Sequence, residues 1–298
     1  MGSELCRVAI FYKGVLYPRA GDTDDKKAMG HGKLRKFAEN ETFSCLLQPA
    51  ASEVLASGST GTDGITRGDS GGGLLLTDHP IKGKWNTVMF AAPQPIVLEL
   101  GCGKGEYTID LACRRPEFNY IGVDIKGARL WKGAKYAHEH GLPNVAFLRT
   151  RIEFIEAFFA PGEVSEIWLT FSDPQLKKEN CRLTSPMFLE RYRTFLAPGG
   201  IVHLKTDSMF LHNYTLELVR QNGLEILAHT DDLYGGEALV RPEVLQVQTF
   251  YEKMFLAQGL PISYMAFRID HAGAYVSPVW DCDYWRSIEE ARGKIPRR

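Results

Sequence analysis

Ile96-Val97-Leu98-Glu99-Leu100-Gly101-Cys102-Gly103-Lys104-Gly105 reads as a buried strand running into a glycine-rich turn that opens a helix. A short, nearly continuous apolar run bounded by glycine suits a strand covered on both faces. In doubly wound sheets, ligands lie at the carboxyl ends of the strands, near the point where strand order reverses. Glycines there let the backbone approach a ligand closely or adopt positive φ. Gly101, Gly103 and Gly105 are therefore candidate ligand-binding residues. Glu99, just before them, is placed to meet the ligand or to order the loop.

Glu106 bears on the ligand class. A dinucleotide fingerprint needs a third glycine at that position, so that the helix N-terminus can take a pyrophosphate. A carboxylate there repels phosphate and suits a cationic sulfonium, which argues against NAD and for S-adenosylmethionine. Asp124 closes the next strand-like run, Tyr120-Ile121-Gly122-Val123-Asp124. An acid at that point can accept both ribose hydroxyls of an adenosyl group.

Working outward, strand-like runs recur at Val145–Leu148, Glu166–Phe171 and Gly200–Lys205. They alternate with amphipathic stretches at Lys126–His140, Ser185–Leu196 and Met209–Asn222. That rhythm predicts βαβ units and a parallel sheet. Leu224–His229 and Ile262–Phe267 add two strands, and their long separation leaves an antiparallel pairing of the two open. The predicted fold is α/β: a doubly wound, mostly parallel seven-stranded sheet with helices on both faces, spanning residues 93–270.

The flanks differ in texture. Residues 1–28 end in a polar run without periodicity and are expected to be a disordered extension. Residues 29–92 form a basic N-terminal segment, with a Gly/Ser-rich insertion at 57–73 that reads as a linker. Residues 271–298 are a tail rich in Trp, Tyr and charge.

Hydrophobic residues make up 44% of the chain and charged ones 24%, a soluble globular profile. The formal net charge of -1 means that a nucleic-acid surface would have to be a local patch. The six cysteines show neither a CxxC pair nor zinc spacing, so no metal is expected and a reducing, cytoplasmic setting is. No run approaches the roughly 18 apolar residues of a membrane span.

The second informative stretch is Phe171-Ser172-Asp173-Pro174-Gln175-Leu176-Lys177-Lys178. Asp-Pro after a buried strand forces the chain to turn, because the residue before proline is pushed out of the α region. The Asp173 carboxylate is thereby held at the rim where a reacting group would be presented, with two lysines in reach of a phosphate. Another acid, Asp207, ends the following strand.

At these residues the chain resembles the bacterial tRNA (guanine-N7)-methyltransferase family. The matching stretches are Leu98–Gly105, the Phe-Ser-Asp-Pro-x-x-Lys-Lys run, Pro198-Gly199-Gly200 to Asp207, and Thr249-Phe250-Tyr251-Glu252. Gly32–Ala38 and Pro80–Asn86 also look like that family's N-terminal part. The resemblance implies a Rossmann-like methyltransferase that binds S-adenosylmethionine through Glu99 and Asp124. Asp173 would sit between cofactor and target base, as the catalytic residue and a further cofactor-binding one. Lys177, Asp207, Thr249 and Glu252 would contact the guanosine or its RNA surroundings, and the substrate would be the guanine in the variable loop of tRNA. Gln175 stands where many members have Trp, and Arg151 where they tend to have an acid.

Guanine N7 has a lone pair and no proton, so its methylation needs orientation rather than a general base. Lysines 33, 36, 82, 84, 177 and 178, with Arg35, would supply salt-sensitive phosphate contacts. Phe37 and Trp85 are expected to anchor the N-terminal segment, and Trp168, His203, Tyr192 and Tyr214 to pack in the core. Two other readings compete. One is a methyltransferase of this fold acting on a small molecule or protein, which has no reason to bind tRNA in a salt-dependent way. The other is a non-catalytic RNA-binding protein, against which the intact glycines and Asp173 argue.

Overall fold

The computed structural model describes residues 28–56, 75–236 and 239–292. Of the expected N-terminal extension only Ala28 is described, and the 57–73 insertion lies outside the described residues. Helix α1 (Ala28–Asn40) leads into a two-residue strand, β1 (Leu46–Leu47), and a short α2 (Trp85–Val88) follows. Then β2 (Ile96–Leu100), α3 (Glu106–Arg114), β3 (Asn119–Asp124), α4 (Gly127–Glu139) and β4 (Val145–Arg149) alternate. After β5 (Val164–Thr170) come α5 (Pro186–Arg193), β6 (Leu196–Thr206) and α6 (Met209–Gln221). The remaining elements are β7 (Ile226–Thr230), α7 (Pro242–Gln246), α8 (Phe250–Ala257), β8 (Ser263–Arg268) and α9 (Cys282–Arg292).

The strands form one sheet in the order β1-β4-β3-β2-β5-β6-β8-β7. The first six of these are parallel, and β8 inserts antiparallel between β6 and β7. The seven expected strands are all present, and β1 adds an eighth at the edge. Strand order reverses between β2 and β5, because the chain moves out through β3 and β4 and returns on the other side of β2. That crevice is where the fold offers a ligand site.

Every residue of β2 and β3 is buried, as strands covered on both faces require. Leu98, Leu100, Ile167, Leu169, Val202 and Leu204 face one core with Phe188, Tyr192, Leu211 and Tyr214. Val97, Tyr120, Phe147 and Trp168 face the other, with Tyr107, Leu130, Ala134 and Phe255. Trp85 is fully buried, stacks on Phe159 at 5.3 Å and donates its indole N–H to the Phe158 carbonyl at 2.8 Å. Loss of so large a buried ring costs about 3–5 kcal/mol, so Trp85 anchors its segment as the sequence suggested. Phe37 anchors α1 less deeply, with the Arg149 guanidinium 5.1 Å from its ring centre.

Candidate active site

The β2–α3 turn carries Gly101, Gly103 and Gly105, all at positive φ. A Cβ at Gly101 or Gly103 would meet nothing within 4 Å, so the loop presents bare backbone to an open crevice. Gly105 is different. A Cβ there would lie 2.5 Å from the Phe147 ring, so packing against β4 by itself requires this glycine.

Asp124, at the end of β3, accepts the Gly103 N–H at 3.0 Å and the Lys126 N–H at 2.7 Å. It therefore braces the glycine turn from the neighbouring strand. Glu106 does not stand as a bare negative charge at the mouth of α3. Lys132 pairs with it at 2.9 Å, and the Phe250 N–H lies 3.4 Å from its other oxygen. Lys132 thus offsets much of the Glu106 charge, and the open backbone at Gly101 and Gly103 is the firmer sign of a ligand.

Glu99 is buried on the sheet face toward α3. Its Oε2 accepts the Thr108 N–H at 2.8 Å and the Thr108 hydroxyl, and its Oε1 accepts the Thr170 hydroxyl at 2.6 Å. Burial raises the carboxyl to about 7, against the pull of these hydrogen bonds. A carboxyl raised in this way binds its proton more tightly folded than unfolded. Its contribution to stability is therefore complete below its ordinary value of 4.5 and lost as pH rises through about 7. The shift corresponds to roughly 3 kcal/mol. Glu99→Gln should thus raise the melting temperature of the ligand-free protein at pH 8 and change it little at pH 4.5. A stability difference between variant and wild type that is constant across that range would contradict the burial of an ionised group.

Asp173 follows β5, which lies directly beside β2, so its loop and the glycine turn share one end of the sheet. Its side chain is exposed. One oxygen accepts the Gln175 N–H at 2.9 Å, and the other has no partner among the described residues. Phe171 and Gln175, on either side, hold positive φ of 51° and 48°. For residues with side chains such angles cost of order 1–3 kcal/mol and persist where surrounding contacts impose them. Arg182 braces the turn at Gln175: its guanidinium donates to the Pro174 carbonyl at 3.1 Å and the Leu176 carbonyl at 3.3 Å. Sequence reading singled out the two lysines and passed over Arg182, which is buried over the rings of Phe210 and Tyr214.

Asp207 is half-buried at the end of β6, and the exposed Lys177 engages no carboxylate among the described residues. Thr249 caps α8 by accepting the Glu252 N–H at 3.1 Å. Glu252 is fully buried. It pairs with the equally buried Lys205 at 2.7 Å and accepts the Tyr234 hydroxyl at 2.5 Å. Lys205 also donates to the Val244 and Val247 carbonyls, at 2.7 and 2.9 Å. Burial pulls this lysine below its ordinary range, and Glu252 holds part of that back. The pair fixes α8 over the sheet and leaves Phe250 61% exposed at the rim, with the Lys104 ammonium 5.8 Å from its ring centre.

A second polar cluster on the same face was also missed. Arg241 clasps Glu166 through two hydrogen bonds of 2.8 and 2.9 Å, and His203 lies 3.3 Å from the same carboxylate. Burial works against ionised Glu166, yet Arg241 and His203 hold it well below the usual carboxylate range. His203 is a satisfied core histidine, stacked 4.0 Å from Trp168 and bonded to the Tyr264 hydroxyl at 2.8 Å. The only sequence signal was polar residues at inward positions of apolar strands, and that pattern does not name their partners.

A family model described as "Putative methyltransferase" matches residues 93–264. A tRNA (guanine-N(7)-)-methyltransferase from Christiangramia forsetii is 50% identical over 239 residues, covering 80% of this chain and 97% of the relative. One from Porphyromonas gingivalis is 52% identical over 69% of this chain and 80% of its own. One from Bacteroides thetaiotaomicron is 46% identical, with coverage of 84% and 90%. The solved structure of the 16S rRNA methyltransferase KamB aligns over 62% of this chain and 89% of its own, at 16% identity and a TM-score of 0.45. That likeness is too loose to bear on the reaction.

Proposed function

This chain belongs to the tRNA (guanine-N7)-methyltransferase family, and on that premise we propose that it methylates N7 of a guanine in tRNA, using S-adenosylmethionine. The observation that carries the proposal is the juxtaposition, at the sheet's switch point, of an open glycine turn with an exposed carboxylate that has a free oxygen.

The residues present fit the cofactor. Gly101 and Gly103 offer backbone that no Cβ obstructs, Asp124 stands at the end of β3 for ribose hydroxyls, and Ile125 beside it is 51% exposed as an apolar surface. Glu99, poised near neutrality, can release its proton when a cationic ligand arrives. When bound, S-adenosylmethionine supplies an activated methyl group on a sulfonium. Asp173 accepts hydrogen bonds from guanine N1–H and N2–H₂, which fixes the ring and offsets the positive charge it gains. No side chain need remove a proton, since N7 carries none. Phe250 and Tyr251, exposed at the start of α8, present aromatic faces to a base turned out of its stack. Glu252 supports that helix from beneath. An irregular region such as the variable loop yields a guanine at least cost, and a cytoplasmic location follows from the substrate.

Purified protein incubated with unmodified tRNA and methyl-labelled S-adenosylmethionine should place label in 7-methylguanosine. Label in another nucleoside would remove the N7 assignment. No label in spite of cofactor binding would favour a small-molecule or protein substrate.

A further inference from the structure

Residues 271–281, between β8 and α9, are pinned to the domain by specific polar contacts. Asn222 donates to the Val276 carbonyl at 2.9 Å and accepts its N–H at 2.8 Å. Arg193 donates to the carbonyls of His271 and Gly273, at 2.9 and 2.7 Å. Trp280 packs edge-on against Phe210 and Tyr214, at 4.9 and 5.5 Å. These contacts bring α9 to the loop after Asp173, where an Arg286 N–H reaches the Leu176 carbonyl at 3.4 Å.

Between α9 and that loop lies an open cavity of about 300 Å³. Its lining includes three cations, Lys177, Arg182 and Arg286, and one carboxylate, Glu179, which already accepts the Tyr214 hydroxyl at 2.7 Å. Neither Lys177 nor Arg182 has a carboxylate partner among the described residues. Arg286 pairs with Asp283, whose side chain is 89% exposed, and its buried Nε–H has no acceptor among the described residues. Cations so weakly compensated favour an anion, which they would hold by charge-assisted hydrogen bonds. Trp280 and Pro278 add an apolar wall of the kind on which a sugar or base packs. Lys177 can lie no further than about 14 Å along the chain from Asp173, so an anion held here would flank the reacting base.

We infer that this cavity, built jointly by the Asp173 loop and α9, seats a phosphodiester of the RNA beside the target guanosine. Lys177 and Arg286 are its direct ligands, and Arg182 is the buried charge behind them. The inference rests on the tRNA reading above.

The test is Arg286→Gln in the full chain, assayed with unmodified tRNA over a series of KCl concentrations. The expected result is a KM for tRNA raised about tenfold, with kcat and S-adenosylmethionine affinity unchanged. The slope of log affinity against log salt should fall by about 0.7–0.9, the signature of one lost phosphate contact. Arg286→Lys should restore the slope. Lys177→Gln combined with Arg286→Gln should cost less than the product of the two, because they share one phosphate. If Arg286→Gln does not fold, Lys177→Gln carries the same salt measurement. Unchanged KM and slope, with wild type binding tRNA normally, would overturn the phosphate seat and leave the enzyme assignment standing. Wild type that binds no tRNA would remove both. Guanosine monophosphate binding that Arg286→Gln abolishes, without loss of tRNA affinity, would mark a small-anion site and overturn the RNA assignment.

Discussion

Asp173→Ala is expected to lower the rate of tRNA methylation by about 10²- to 10³-fold, the usual cost of losing one preorganised polar group in an active site. Affinity for S-adenosylmethionine should stay nearly unchanged, because the glycine turn is braced by Asp124 and not by Asp173. Stability should change little as well, since the side chain is exposed and its single bond to the Gln175 N–H is worth about 1 kcal/mol. Asp173→Asn sharpens the test. It keeps an oxygen for Gln175 but replaces the free acceptor with a donor, which opposes the N1–H and N2–H₂ of guanine. The asparagine variant should therefore be nearly as slow as the alanine one. Single-turnover rates on unmodified tRNA, with calorimetric titration of the cofactor, decide the matter. A variant that keeps more than about a tenth of the wild-type rate would deny Asp173 its place at the reacting base.

The second large effect is on folding. Glu252→Ala removes one member of an ion pair in which both side chains are fully buried, 2.7 Å apart. Breaking such a pair leaves an uncompensated buried charge and costs about 3–5 kcal/mol. The melting temperature should fall on the order of 10 °C. Lys205 would keep its bonds to the Val244 and Val247 carbonyls, so the loss belongs to the missing countercharge rather than to a detached helix. Lys205→Met added to Glu252→Ala removes the stranded charge and should recover part of the stability. If Glu252→Ala melts within 2 °C or so of wild type, the pair is not buried as described. If the double variant regains stability but still methylates poorly, Glu252 serves the reaction by holding α8, with Phe250, over the crevice.

How legible the site was depends on the range of the interactions that build it. The turn at Gly101–Gly105, the acid at the end of β3 and the Asp-Pro after β5 are each set within a few residues. Apolar runs, glycines and proline constrain φ and ψ locally, so these features could be read from the chain. The switch point also followed from the order of strands and helices, because parallel units admit few connections. Glu106 pointed to a sulfonium cofactor through a charge that Lys132, a residue one helix further along, partly offsets. At Gly105 the sequence could not show the packing requirement, because a glycine required by a ring looks the same in sequence as one required by a ligand.

By itself, then, the sequence determined the α/β class, the strand positions and the place of the crevice, because backbone conformation and hydrophobic period are local properties. Tertiary structure alone decided that Glu252 lies beneath the site with Lys205, and that Arg182 holds the Asp173 loop. It also brought α9 to that loop and gave the tail a wall of the cavity beside it. Those pairings join groups far apart in the chain. Any of several buried acids could have met Lys205, and only the packing of α7 and α8 on one face of the sheet selects which one does.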